Sequence, residues 1–124
     1  MMAQGIGSAQ KWLVIGVTLL FLSDIAQAAT YTVGDKGGWS FNLVNWPKGK
    51  SFKAGDVLMF KYNPTIHNVV AVNRNGYNGC TTPRGSKVYR TGNDNIKLVK
   101  GQNYFICNIV GHCQAGMKIS INAV

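Results

Sequence analysis

Beyond residue 28 the chain has no apolar run that keeps a helical period for three turns, and this constrains its fold more than any other feature. In its place stand short runs rich in β-branched and aromatic residues, each cut off by Gly, Asn, Asp or Pro. Tyr31 and Val33 alternate with Thr30 and Thr32 before a break at Gly34. Residues 57–62 follow a Gly55-Asp56 turn and end at Asn63-Pro64, and residues 67–73 end at Asn75-Gly76, a tight-turn pair. Residues 87–91, 96–99, 103–109 and 118–122 complete the set. A turn or two of helix fits only within 38–45 or 76–80. Short strands at this spacing predict an all-β domain, either a two-sheet sandwich or a small barrel. There is no internal repeat, low-complexity stretch or linker, so one domain is expected.

The first 28 residues read as an address. Lys11 precedes an apolar run at 12–22, and Ala26-Gln27-Ala28 puts small residues where a signal peptidase cuts. Ser23-Asp24 stop the run well short of the ~20 apolar residues a membrane span needs. Cleavage after Ala28 leaves residues 29–124 as the mature domain in an oxidising compartment, where a disulfide persists. Residues 122–124 carry neither a hydrophobic tail nor a stalk, so no lipid or membrane anchor is expected. The expected protein is secreted, extracellular and monomeric.

Charge narrows the partners. Thirteen Lys+Arg stand against four Asp+Glu, none of them Glu, for a net charge of +9. Lys11 and Asp24 leave together, so the mature chain keeps that charge. Nucleic acid is the usual partner of such a balance, but a secreted destination removes it. A small redox partner with an acidic protein surface, or an acidic cell-wall polysaccharide, fits better than a merely solvated basic face. Lys48, Lys50, Lys53, Arg74, Lys97 and Lys100 lie in or beside turns, where a polyanion could meet them.

The chemistry is concentrated between residues 107 and 117. Cys107, His112, Cys113 and Met117 are four soft or borderline ligands within eleven residues, with Gly111 and Gly116 to let the backbone turn. His67 stands forty residues upstream, beside the Asn63-Pro64 turn. A thiolate, two imidazoles and a thioether form the set that selects copper. Neighbouring side chains on an extended backbone point to opposite sides, so if His112 faces a metal then Cys113 faces away and is free to pair with Cys80. Cys107 then supplies the thiolate. The exchanged assignment, Cys113 as ligand with a Cys80–Cys107 bridge, remains the alternative. Each piece also has a plain reading: Met117 as core filler, His67 as a capping residue, Cys107 as an inert thiol. Together these would require several coincidences around one loop. Zinc has little use for the thioether of Met117.

The chain resembles the phytocyanins, plant members of the cupredoxin superfamily, and in particular their plantacyanin or basic blue group. The matching residues include Asn45-Trp46-Pro47, Gly55-Asp56-Val57-Leu58, Tyr62-Asn63-Pro64, His67-Asn68-Val69-Val70, Gly79-Cys80, Tyr104-Phe105-Ile106-Cys107, Gly111-His112-Cys113 and Gly116-Met117-Lys118-Ile119. The resemblance spans essentially the whole mature chain. It implies a Greek-key β-sandwich with one type 1 copper ion held by His67, Cys107, His112 and Met117. It also implies a Cys80–Cys113 disulfide and a supporting role for Asn68, bonded toward the ligand sulfur. Three strong ligands and a weak axial one leave no open position for substrate, so the resemblance implies outer-sphere electron transfer and no enzymatic activity. The rival expectation is a matrix-associated binding or signalling protein in which the copper is mainly structural.

Overall fold

The structure is a computed structural model that describes residues 27–124, so the segment read as a leader lies almost wholly outside the described residues. Seven strands carry the domain: β1 (Thr30–Thr32), β2 (Val57–Lys61), β3 (Val69–Val72), β4 (Lys87–Tyr89), β5 (Asn93–Lys97), β6 (Gly101–Ile106) and β7 (Lys118–Ala123). A 3-10 turn occupies Asp35–Gly37, and one short α-helix, α1, spans Arg74–Gly79. No helix among the described residues is long and apolar enough to cross a membrane.

The strands form two sheets, one ordered β1-β2-β5 and the other β4-β3-β6-β7. β1 runs parallel to β2, every other pairing between these strands is antiparallel, and an isolated parallel bridge joins Phe52 to Ala123 of β7. The chain changes sheet between β2 and β3, between β4 and β5, and between β5 and β6, as in Greek-key sandwiches. The expected all-β sandwich with minimal helix is the fold observed.

Alternation along the strands builds the core. Leu58 and Phe60 of β2, Ile96 of β5, Phe105 of β6, and Ile119 and Ile121 of β7 point between the sheets and are buried. Trp39 packs edge-on to Phe60 at 5.0 Å, and Phe60 meets Phe105 at 5.3 Å. The Trp39 indole donates to the carbonyl of Asn68 at 2.8 Å, so its polar handle is satisfied inside the core. A smaller cluster of Val70, Ile106 and Cys113 fills the other face of the four-stranded sheet, where Tyr77 of α1 packs over it.

Several boundaries differ from the sequence expectation. Asn75-Gly76 lies inside α1 rather than in a hairpin turn. The Asn73 side chain accepts a hydrogen bond from the Gly76 amide at 2.8 Å, capping a helix that no apolar period announces. Only glycine fits at 76, because a Cβ there would lie 2.8 Å from both the Thr81 carbonyl oxygen and Val72. β5 starts at Asn93, ahead of the expected residue 96. Asp94 faces inward there and is buried, accepting from Tyr62 Oη and, at 2.7 Å, from Thr91 Oγ1. The segment 38–45 forms bends and turns without helix.

Register decides where the functional end lies. Val70 pairs with Ile106, and Ile106 with Lys118. The start of β3, the end of β6 and the start of β7 therefore meet at one end of the four-stranded sheet.

Candidate metal centre

The inward positions nearest that end are Val69 on β3, Phe105 on β6 and Ile119 on β7, all in the main core. Two residues further out, with the alternation continued, stand His67, Cys107 and Met117. Three neighbouring strands thus deliver an imidazole, a thiol and a thioether to one edge of the core by the same period-two rule that buries their apolar side chains.

His67 lies in the loop before β3, rather than opening the strand. Asn63 organises that loop: its side chain accepts from Thr65 N at 3.0 Å and Thr65 Oγ1 at 2.7 Å, and its carbonyl accepts from His67 N at 3.1 Å. His112 arrives from the turn after β6. Its amide bonds back to the Ile109 carbonyl at 3.0 Å, and its own carbonyl accepts from Met117 N at 3.1 Å. Cys107 N donates to the Met117 carbonyl at 3.0 Å, closing the loop between them at its neck.

The donor atoms converge. His67 Nδ1 and His112 Nδ1 are 3.1 Å apart, and Cys107 Sγ is 3.6 Å from His112 Nδ1. One ligand atom from each of His67, Cys107 and His112 lies within 4.8 Å of the other two. Cys107 and Met117 are wholly buried in the main core cluster, and His67 is 8% exposed. Burial, and secondarily the neighbouring His112 ring, hold His67 below its ordinary value, which favours the neutral imidazole and its lone pair. Two imidazole nitrogens and a buried thiol facing one point, with Met117 in the same cluster, form a soft donor set without a carboxylate. That set fits a copper ion better than magnesium, calcium or zinc.

The remaining sulfur atoms are joined to each other. Cys80 and Cys113 form a disulfide with Cα atoms 5.6 Å apart, and Cys107 is the free cysteine among the described residues. The bridge fastens the residue after His112 to the end of α1. On the side facing away from the core, Asn68 Nδ2 donates to Asn108 Oδ1 at 2.6 Å, while Asn108 N donates to Asn68 Oδ1 at 3.0 Å. Asn68 therefore grips the residue that follows Cys107, whereas the resemblance implied a bond toward the sulfur itself. Asn108 Nδ2 continues the chain of bonds to Thr82 Oγ1 at 3.1 Å.

Phe41 completes the site, and sequence reasoning missed it. Its ring packs edge-on to His67 at 5.4 Å and to His112 at 5.0 Å. Two backbone bonds bring it there, from Asn42 N to the Ala115 carbonyl at 3.3 Å and from Leu43 N to the Gly116 carbonyl at 2.9 Å. The available signal was an aromatic residue stranded in a Gly-, Ser- and Asn-rich segment with no strand to belong to. Phe41, Ile66 and Val110 leave apolar surface exposed around the imidazoles.

A family of plastocyanin-like domains matches residues 36–117. Chemocyanin of Lilium longiflorum is 55% identical over 125 residues, covering 98% of this chain and 99% of its own length. A basic blue protein of Cucumis sativus is 62% identical over 96 residues, which cover 77% of this chain and all of that protein. The solved structure of a cucumber basic protein, a blue copper protein, superposes with a TM-score of 0.77 at 62% identity over 77% of this chain and the whole of that one.

Proposed function

The chain belongs to the phytocyanins, in their basic blue group, and from that membership we propose that it is a secreted carrier of single electrons, working by outer-sphere transfer at one copper ion. The observation that carries the reading is the convergence of His67 Nδ1, Cys107 Sγ and His112 Nδ1 within 4.8 Å. Copper bound there supplies a one-electron couple between Cu(I) and Cu(II).

The chain's own residues set the conditions for that couple. His67 and His112 would hold the ion through Nδ1 and Cys107 through its thiolate, with Met117 as a weaker fourth donor. Hydrogen bonds through Asn63, Asn68, Asn108 and the neck at Cys107–Met117 hold the donors in place, so little rearrangement would accompany a change of oxidation state. Core packing around Cys107 and Met117 excludes water, while the partly exposed His112 beside Phe41 is the point of contact for a redox partner. Four donors around one ion leave no place for a substrate, and the reading is of a carrier, with no enzymatic activity.

Secretion belongs to the same proposal. Residues 1–28 act as the cleaved leader, and the 96 residues that cover the cucumber basic blue protein from end to end equal the mature length left after Ala28. Refolded residues 29–124 loaded with Cu(II) are expected to develop an intense visible thiolate-to-copper band. Cys107→Ser is expected to abolish it, and Cys80→Ser to leave it. A parent protein without the band would overturn the proposal.

A further inference from the structure

The positive charge of the domain is not cancelled on its own surface. Among the described side chains the carboxylates are Asp35, Asp56 and Asp94, and two of them are turned inward. Asp56 is 4% exposed and accepts from the amides of Ala29 and Lys53 at 2.9 and 2.8 Å; Asp94 is 5% exposed and occupied by Tyr62 and Thr91. Only Asp35 faces water, against twelve Lys and Arg side chains in the same residues.

Val44 lines two open depressions. One, of about 750 Å³, begins at Phe41 and carries the amides of Asn42, Asn45 and Gln114. The other, of about 370 Å³, is lined by Lys48 and Lys50 and by Ser120 and Asn122 of β7. Lys50 is held in place there: its Nζ donates to the Trp46 carbonyl at 3.1 Å and sits over the indole ring, 5.0 Å from its centroid. The Trp46 Nε1 beside it is buried and has no acceptor on the chain. Val44 lines both depressions, and taken together as one groove they offer ammonium groups, neutral amides, a hydroxyl and the ring of Phe41.

We propose that this groove binds a linear anionic polysaccharide, a polyuronate, whose carboxylates pair with Lys48 and Lys50 while its hydroxyls meet the amides and Ser120. Each uronate ring carries one carboxylate among several hydroxyls and has an apolar ring face, which is the mixture the groove presents. An acidic protein surface would be met better by the open face of the three-stranded sheet, where Lys61 of β2 and Lys97 of β5 stand exposed. None of the proposed contacts uses a metal donor, so the inference holds for the copper-free and the copper-loaded protein alike.

Binding of a galacturonate decamer to the refolded mature chain, measured by calorimetry with and without copper, tests this. Lys48→Gln/Lys50→Gln is expected to weaken binding roughly tenfold, and Lys61→Gln/Lys97→Gln less than twofold, with every variant still unfolding cooperatively. The methyl-esterified decamer, neutral and of the same shape, is expected not to bind, and added salt to weaken the acidic one. Equal weakening by the two lysine pairs would overturn the groove in favour of diffuse charge. Poly-glutamate binding as tightly, with the same dependence on Lys48 and Lys50, would overturn the sugar in favour of an acidic protein. No measurable binding by the parent would overturn both.

Discussion

The Cys80–Cys113 bridge spans 33 residues of sequence and ends beside a proposed metal ligand, so its removal separates two effects. The first acts on the unfolded chain. Closing a loop of this length costs the unfolded ensemble about 12.6 cal/mol/K in the chain-entropy relation, or about 3.8 kcal/mol at 25 °C. Cys80→Ala/Cys113→Ala should therefore lose about that much unfolding free energy in the copper-free protein. For a domain of this size the loss amounts to about 20 °C in melting temperature. The second effect acts on the folded site. Cys113 adjoins His112, whose own position is otherwise set by the turn it sits in and by its contacts with Phe41, His67 and Cys107. A less firmly placed His112 binds copper more weakly, and each tenfold loss of affinity removes a further ~1.4 kcal/mol of stability from the loaded protein. Urea unfolding of the parent and the double variant, with and without saturating Cu(I), reads the two effects separately. The copper-loaded pair should differ by more than the copper-free pair. Equal losses would refute the positioning role, and a copper-free loss below about 1 kcal/mol would refute the loop-entropy account.

Two further outcomes follow from individual contacts. Gly116 sits at φ +85°, and a Cβ there would lie 3.1 Å from the Asn42 backbone, so Gly116→Ala should cost about 1–3 kcal/mol in thermal unfolding and displace Phe41 from the imidazoles. Gly111→Ala, with a similar φ but open space around it, should cost less, and equal losses would argue against the Asn42 contact. The Tyr62 phenol is pushed up to about 12 by burial and by its hydrogen bond to Asp94, from 10.0. The folded state keeps that proton while the unfolded chain loses it, so the stabilisation is whole below pH 10 and drains away as pH rises toward 12. The full shift corresponds to about 2.7 kcal/mol, which solvent screening of this partly exposed group reduces to about 1 kcal/mol. Stability curves of the parent and Tyr62→Phe should converge by about that amount between pH 9 and 11.5, and parallel curves would count against it.

The strands were legible because their inward residues are apolar, and legibility failed where a polar group faces inward. Asp94 concealed the first half of β5, since a buried carboxylate bonded to Tyr62 and Thr91 breaks the apolar alternation without breaking the strand. Helix α1 was only partly legible: a helical turn within 76–80 was allowed, but its start at Arg74 was not. Its six residues include two glycines, and it exists because Asn73 caps it and the disulfide holds its end. Four chemically distinctive residues could be marked by type and spacing as candidates for one site. Phe41 could not, because it reaches the imidazoles through backbone bonds between two loops about seventy residues apart in sequence, a tertiary fact with no local pattern.

The same geometry explains why so few residues suffice for the site. His67, Cys107 and Met117 need no special scaffold, since each is the next inward position on β3, β6 or β7 once the apolar residues of those strands have been placed. A one-residue slip in the β3–β6 register would turn Cys107 away from His67 and expose Phe105 together with it. Core packing and ligand convergence are thus one constraint satisfied twice: the energy that fixes the register of Phe105 and Ile119 also fixes the thiol and the thioether. His112 alone lies outside that logic, in the turn between β6 and β7. Around it are gathered the devices the sheet cannot supply, namely the disulfide at the next residue, the neck bond from Cys107 to Met117, and the ring of Phe41.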